Sequence, residues 1–110
     1  MAPGRTRKVR VELAQLDEGE GVCVRACGRE LAVFKVEGRL YAIQNRCPHQ
    51  DASLAEGELD GLEILCPLHS WSFDLRSGER LDAPTGHRVE VFAVERDGAD
   101  LVVSLPDDER

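Results

Sequence analysis

Four residues with metal-binding side chains lie in two short groups near the middle of the 110-residue chain. The first group is Cys-Pro-His at 47–49 and the second is Cys-Pro-Leu-His at 66–69. Thiolate sulfur and imidazole nitrogen are good ligands for zinc and iron, and close local pairs of such residues are typical of metal sites. The proline after each cysteine stiffens the backbone and removes an N–H donor, as expected of a tight loop. The candidate metal ligands are therefore Cys47, His49, Cys66 and His69.

The order of cysteine and histidine within each group indicates which metal is bound. Zinc ligands usually occur as a pair of cysteines followed by a pair of histidines, whereas each group in this chain mixes one cysteine with one histidine. The C-x-H and C-x₂-H spacing suits a [2Fe–2S] cluster in which two histidines replace two cysteines on one iron. A structural Zn²⁺ held by the same four side chains stays an alternative, and a colourless protein would support it.

The residues around the two groups resemble those of Rieske-type ferredoxins. The similarity runs from about residue 9 to residue 105 and includes, after the second group, Trp71, Phe73-Asp74 and Ser77-Gly78-Glu79. The resemblance implies an all-β fold, a Rieske-type antiparallel β-sandwich with a small cluster-binding subdomain formed by two loops at about 45–52 and 65–73. It also implies one Rieske-type [2Fe–2S] cluster, with the inner iron bound by Cys47 and Cys66 and the outer iron by His49 and His69.

The same resemblance predicts a cluster of low potential. High-potential relatives have an extra cysteine in each loop, joined as a disulfide, and those positions in this chain hold Ala52 and Leu68. They also have hydroxyl donors at the positions of Trp71 and Phe73. Fewer hydrogen bonds to sulfur stabilise the reduced form less, so we expect a midpoint potential of about −150 to −50 mV. Ser70, where relatives commonly have glycine, is either an additional donor or a plain surface serine.

Short β-branched segments separated by glycine turns predict the fold class from the residues themselves. Eight or nine short strands with regular turns favour a sandwich or a small barrel, and one domain is expected over residues 1–110. Single helical turns are expected at the end of residues 11–18 and at Ala52–Glu56. The predicted strands are Val9–Leu13, Gly21–Ala26, Glu30–Val36, Leu40–Gln44, Leu62–Leu65, Ser72–Leu75, Arg88–Glu95 and Asp100–Leu105.

Three further residues with reactive side chains are not assigned to the site. Cys23 and Cys27 have no histidine nearby, and we interpret them as structural or incidental thiols. His87 lies in a turn-like stretch without a partner at ligand spacing, so it is interpreted as a solvent or loop histidine. By the resemblance, Pro84 belongs to a loop that shields the cluster from water.

The charge and hydropathy of the chain exclude several classes of function. The formal net charge is −7, although residues 1–10 carry four basic side chains and no acid. An acidic body disfavours nucleic acid and suits steering toward a basic partner surface. No segment approaches the ~18 apolar residues of a membrane span, and the N-terminal segment lacks the apolar stretch of a signal peptide. We therefore expect a cytoplasmic protein with no membrane partner, in which the cysteines are thiols or metal ligands.

Four protein ligands leave no open coordination position for a substrate, so electron transfer is predicted rather than catalysis. The resemblance implies a soluble, monomeric one-electron carrier between a flavin-dependent reductase and a terminal oxygenase, such as an aromatic-ring-hydroxylating dioxygenase. The small subunit of an assimilatory nitrite reductase, which shares this fold, is the alternative. The cluster domain of an oxygenase large subunit is a weaker alternative, because such a domain is expected to precede a catalytic iron domain.

Overall fold

The structure, a computed structural model, describes residues 6–26, 28–48, 52–67, 71–82 and 87–106, and only the backbone of Thr6 and Pro106. Nine β-strands and two 3₁₀ turns lie within these residues. The strands are β1 (Thr6–Glu12), β2 (Gly21–Ala26), β3 (Arg29–Val36), β4 (Arg39–Gln44), β5 (Glu58–Asp60), β6 (Glu63–Leu65), β7 (Ser72–Asp74), β8 (Val91–Asp97) and β9 (Asp100–Pro106).

One 3₁₀ turn, Leu13–Gln15, lies in the middle of residues 11–18 rather than at their end as predicted, and the other, Leu54–Glu56, lies within the predicted segment Ala52–Glu56. Each is three residues long. In the described part of the chain, no helix has the length and apolar character needed to cross a membrane.

The strands form two antiparallel sheets. The larger sheet has six strands in the order β1-β9-β8-β4-β3-β2, and the smaller has three in the order β5-β6-β7. Strands β4 and β8 pair at two positions, Ala42 with Phe92 and Ile43 with Val91, so a short ladder joins the two halves of the larger sheet. The predicted all-β, antiparallel class is confirmed.

Strand β3 shows how the larger sheet closes into a sandwich. Its four consecutive apolar residues are fully buried because alternate side chains enter different clusters. Leu31 and Val33 pack with side chains of β1 and β9, although β3 is adjacent to neither strand. The larger sheet therefore folds over on itself. Ala32 and Phe34 face the other way and pack with side chains of β6 and β7 in the smaller sheet.

The observed strand boundaries differ from the predicted ones by at most three residues, and β2 has the predicted bounds. Strand β1 ends at Glu12 because the chain turns into a 3₁₀ helix at the next residue. Strand β8 begins at Val91 rather than Arg88, since Arg88 instead forms an isolated bridge with Glu79. Strand β5 is missing from the prediction because two of its three residues are acidic and it has one apolar residue, Leu59. The single domain over residues 1–110 stays a prediction.

Candidate metal centre

The two predicted cysteine ligands lie where strands of different sheets end. Cys47 lies three residues after β4, and Cys66 follows β6 directly. Both are free thiols with 4 % and 3 % of their surface exposed, and both belong to the same apolar cluster. The next residues, Pro48 and Pro67, are exposed. Each segment therefore passes from the interior to the surface within one residue of its cysteine.

Matching backbone hydrogen bonds close the two loops. The N–H of Cys47 donates to the carbonyl of Ala52 over 3.0 Å, and the N–H of Cys66 donates to the carbonyl of Trp71 over 2.7 Å. Each bond joins a cysteine to the residue five positions later, so the two loops have the same span. These hydrogen bonds join residue 47 to 52 and residue 66 to 71; the loop limits of 45–52 and 65–73 stay a prediction.

Part of the predicted site lies outside the described residues, namely His49, Leu68, His69 and Ser70, together with Cys27 and Pro84. The structure thus brings the two predicted cysteines into one buried cluster. The complete ligand set of Cys47, His49, Cys66 and His69 stays a prediction.

A buried asparagine holds the base of the first loop. Asn45 is 2 % exposed, and its Oδ1 accepts hydrogen bonds from the Ser53 hydroxyl over 3.0 Å and the Ala55 N–H over 2.9 Å. Its Nδ2 donates to Glu30 over 3.2 Å. Glu30 in turn accepts a hydrogen bond from Arg46 over 2.8 Å. This bond is the main cause, and the bond from Asn45 the second cause, of the lowered pKa of the Glu30 carboxyl. Asn45 and Arg46, the two residues before Cys47, thus connect the first loop to β3.

An arginine covers the tryptophan that closes the second loop. The guanidinium carbon of Arg80 lies 3.3 Å from the centroid of the Trp71 ring. Arg80 also donates two hydrogen bonds of 2.8 Å to the Asp82 carboxylate, which accepts a third from the Ser72 N–H over 2.9 Å. The pKa of Asp82 is lowered to about 2. The hydrogen bonds from Arg80 are the main cause, and the one from Ser72 is a smaller cause.

Sequence reasoning missed Asn45 and Arg80, and it described two other residues incompletely. Asn45 carries a local signal, since it is a polar residue at the end of an apolar strand and directly before the first group. Arg80 carries none, because its contact with Trp71 depends on the β7 turn. Cys23 is exposed on β2, so it is incidental rather than a core thiol. His87 is exposed, as expected, yet its ring centroid lies 5.1 Å from that of Trp71.

The described donors have the chemistry that an iron–sulfur cluster requires. Such clusters are held by thiolates, and two free thiols are buried in one apolar cluster of this protein. The thiolate is the form that binds metal, and metal binding releases the thiol proton, so two thiols in one buried cluster are suited to hold a metal. Within the described ranges, no group of three or more His, Cys, Asp or Glu side chains is placed to hold a metal ion. The cysteine side of the site therefore fits a [2Fe–2S] cluster.

Comparison with known proteins agrees with this chemistry. The family described as "Rieske [2Fe-2S] domain" matches residues 7–93. The ferredoxin component of a naphthalene 1,2-dioxygenase system from Pseudomonas aeruginosa is 38% identical over 95 residues, which cover 86% of this chain and 91% of that protein.

Solved structures give the same result. The ferredoxin of carbazole 1,9a-dioxygenase from Nocardioides aromaticivorans IC177 has a TM-score of 0.83 and 35% identity, over 91% of this chain and 98% of that chain. A chain in a complex of reduced oxygenase and oxidized ferredoxin in carbazole 1,9a-dioxygenase has a TM-score of 0.82 and 31% identity, over 93% and 97%. A protein described as an NADH-dependent nitrite reductase small subunit from Mycobacterium tuberculosis has a TM-score of 0.83 at 22% identity, over 91% and 96%, which shows a shared fold alone.

Proposed function

The chain belongs to the Rieske [2Fe–2S] domain family, and from this we propose that it carries single electrons from a flavin-dependent reductase to the terminal oxygenase of a ring-hydroxylating system. The predicted cofactor, one Rieske-type [2Fe–2S] cluster, is confirmed by this membership. Its relatives are named as ferredoxin components, so the prediction of an electron-transfer component rather than an enzyme is also confirmed.

The observation that carries the ligand assignment is the pair of buried cysteines at the start of two loops of equal span. We assign the cluster to Cys47, His49, Cys66 and His69. Both histidines follow an exposed proline within their loops, which supports histidines on the outer side and cysteines on the inner side. When bound, the cluster accepts and releases one electron. The chain's apolar residues around the cysteines exclude water from the inner side.

The residues after the second loop support a low potential. Phe73 is fully buried in the apolar cluster and Trp71 is half-buried, and neither side chain can donate a hydroxyl hydrogen bond to sulfur. Ala52 stands where high-potential relatives have the disulfide cysteine of the first loop. It is buried, and it cannot form that bond because alanine has no sulfur. We therefore expect a midpoint potential of about −150 to −50 mV, as the sequence predicts.

Acidic surface beside the second loop supports a basic partner. A groove of about 360 Å³ lies there, lined by Glu56, Gly57, Glu58, Leu65, Cys66 and Pro67. Both glutamates are exposed, and the whole chain has a net charge of −7. A positively charged partner surface would be attracted to this end of the molecule, with an association rate that falls as salt is added. We propose that a terminal oxygenase and the reductase approach this end in turn, and that the carrier is monomeric and cytoplasmic.

Reduction of the purified protein under anaerobic conditions tests the proposal in two stages. An EPR spectrum with the low average g value of a Rieske centre, distinct from that of a four-cysteine cluster, supports the ligand assignment; a colourless protein overturns it in favour of zinc. Stopped-flow mixing of the reduced protein with a purified ring-hydroxylating oxygenase should then give salt-sensitive reoxidation. A normal Rieske spectrum together with specific co-purification of a sirohaem protein would favour the nitrite reductase alternative.

A further inference from the structure

Arg80 is a largely enclosed cation at the second loop. Its side chain is 10 % exposed, compared with 64 % for Arg76, which also pairs with an aspartate. The position of its backbone accounts for this burial, since Arg80 bridges to Phe73 of β7 and donates its N–H to the His87 carbonyl over 3.1 Å. From this position the side chain extends across the Trp71 ring.

Arg80 contacts the end of the second loop of the candidate metal centre. The ring that it covers belongs to Trp71, whose carbonyl accepts the hydrogen bond from the Cys66 N–H. The guanidinium therefore packs on the end of the second loop, one residue contact away from the backbone of Cys66.

We propose that Arg80 is a positioning residue of the cluster site, which fixes the Trp71 end of the second loop and raises the reduction potential through its charge. The proposal rests on the ligand assignment made above. It adds a tuning element of a different kind from the hydroxyl donors that Trp71 and Phe73 replace. Asp82 has two opposing effects, because it orients the guanidinium and also offsets part of its charge.

The electrostatic argument follows from the charge of the site. Two thiolates and two neutral imidazoles around an oxidised two-iron core give a neutral site, and uptake of one electron from the reductase makes it −1. A fixed positive charge nearby stabilises the reduced state more than the oxidised state. Arginine is suited to this role because its guanidinium stays protonated at all physiological pH values and tolerates stacking on an aromatic ring.

Opposite changes in charge at one ion pair provide the test. Arg80→Met removes the cation at similar length, and Asp82→Asn removes the anion while keeping an oxygen that can accept from Ser72. In potentiometric titrations of the holoprotein we expect a more negative midpoint potential for R80M and a more positive one for D82N. If Arg80 acted only by holding the loop in place, R80M and D82N would both loosen the loop and would shift the potential in the same direction. Shifts of the same sign therefore overturn the proposal.

Two matched variants separate charge from packing. Arg76→Met removes an arginine from a similar pair, Arg76 with Asp74. The Arg76 side chain is 64 % exposed, so its loss should leave the potential unchanged. Arg80→Lys keeps the charge without the planar fork and should lie between wild type and R80M. Should R80M not retain a cluster, Arg80→Gln, which also removes the charge, takes its place, and a potential no more negative than that of the wild type overturns the proposal. EPR of the wild type and each variant shows whether the Rieske site itself is present, so failure of the ligand assignment is recognised separately.

Discussion

The side-chain oxygen of Asn45 accepts a hydrogen bond from the backbone N–H of Ala55 over 2.9 Å, and this bond joins the two ends of the first loop. Asn45 lies two residues before Cys47, and Ala55 lies in the 3₁₀ turn that follows the loop. A second bond closes the same base, since the Leu54 N–H donates to the Asn45 carbonyl over 2.7 Å. Both Asn45 and Ala55 are buried, so water cannot easily replace either bond.

Asn45→Leu should therefore destabilise the protein by about 1–3 kcal/mol, because it leaves the buried Ala55 N–H without an acceptor. Urea unfolding under anaerobic conditions, followed by circular dichroism, measures the change. Ser53→Ala is the matched control, since it removes only the hydroxyl that donates to the same Asn45 oxygen. That control should cost about 1 kcal/mol or less. Equal losses in the two variants would contradict a bracing role for Asn45.

Gly57 should be intolerant of even a methyl group. A Cβ atom at this position would lie 2.0 Å from the carbonyl oxygen of Leu65, the residue before Cys66, although the backbone φ of −76° is ordinary. Gly57→Ala must therefore push on the end of β6, and we expect a cost of about 1–3 kcal/mol together with faster loss of the cluster's visible absorption.

Gly61→Ala is the control for a different kind of glycine. Gly61 has a φ of +65°, but nothing lies within 4 Å of its added Cβ. Its substitution should cost about 1–2 kcal/mol through backbone strain and leave the cluster's absorption stable over time. Cluster loss at the same rate in both variants would show that Gly57 has no particular role in supporting the second loop.

The chemistry of the site could be predicted from sequence because its signals are local. Each ligand pair lies within four consecutive residues, and glycine turns separate most strands. Strand β5 could not be predicted from an alternation of apolar and polar residues, because Leu59 is its one apolar residue. It forms a strand through its pairing with β6. The exposure of Cys23 was not predictable either, since it depends on which face of β2 is covered.

The residues that support the site could not be predicted, because their partners are distant in sequence or brought close by a turn. Glu30 reaches Asn45 and Arg46 from the neighbouring strand. Arg80 reaches Trp71 only because the chain reverses direction after β7. A sequence pattern gives the residue types at such positions but carries no information on which pairs of side chains meet.

Substitution of the cysteines should distinguish ligands from bystanders. Cys47→Ser and Cys66→Ser should each abolish stable cluster binding, because both thiols are buried in one apolar cluster and serine is a poor ligand for iron–sulfur clusters. Cys23→Ser changes an exposed thiol and should leave the iron and sulfide content at the wild-type level. Analysis of iron and acid-labile sulfide after anaerobic purification gives the answer. A full cluster content in either buried-cysteine variant would refute the assignment.

The ion pair of Arg80 and Asp82 should make part of the stability dependent on pH. Hydrogen bonds from Arg80 lower the pKa of Asp82 from its ordinary value of 3.8 to about 2 in the folded protein. Because the folded carboxyl has the lower pKa, its contribution is fully present above the unfolded value and is lost as the pH falls from about 4 toward 2. Asp82 is 32% exposed, so solvent screening limits this contribution to about 1 kcal/mol.

Comparison of wild type with Asp82→Asn isolates this contribution from the general acid sensitivity of the protein. The difference in urea midpoint should be largest at neutral pH and should narrow as the pH is lowered from 5 to 3. Urea is the suitable denaturant because it leaves the ionic strength unchanged, so the ion pair is not screened. In an Arg80→Met background the same comparison should vary much less with pH, since the main cause of the lowered pKa is gone. A gap that stays constant with pH in the wild-type background would exclude the ion pair as its source.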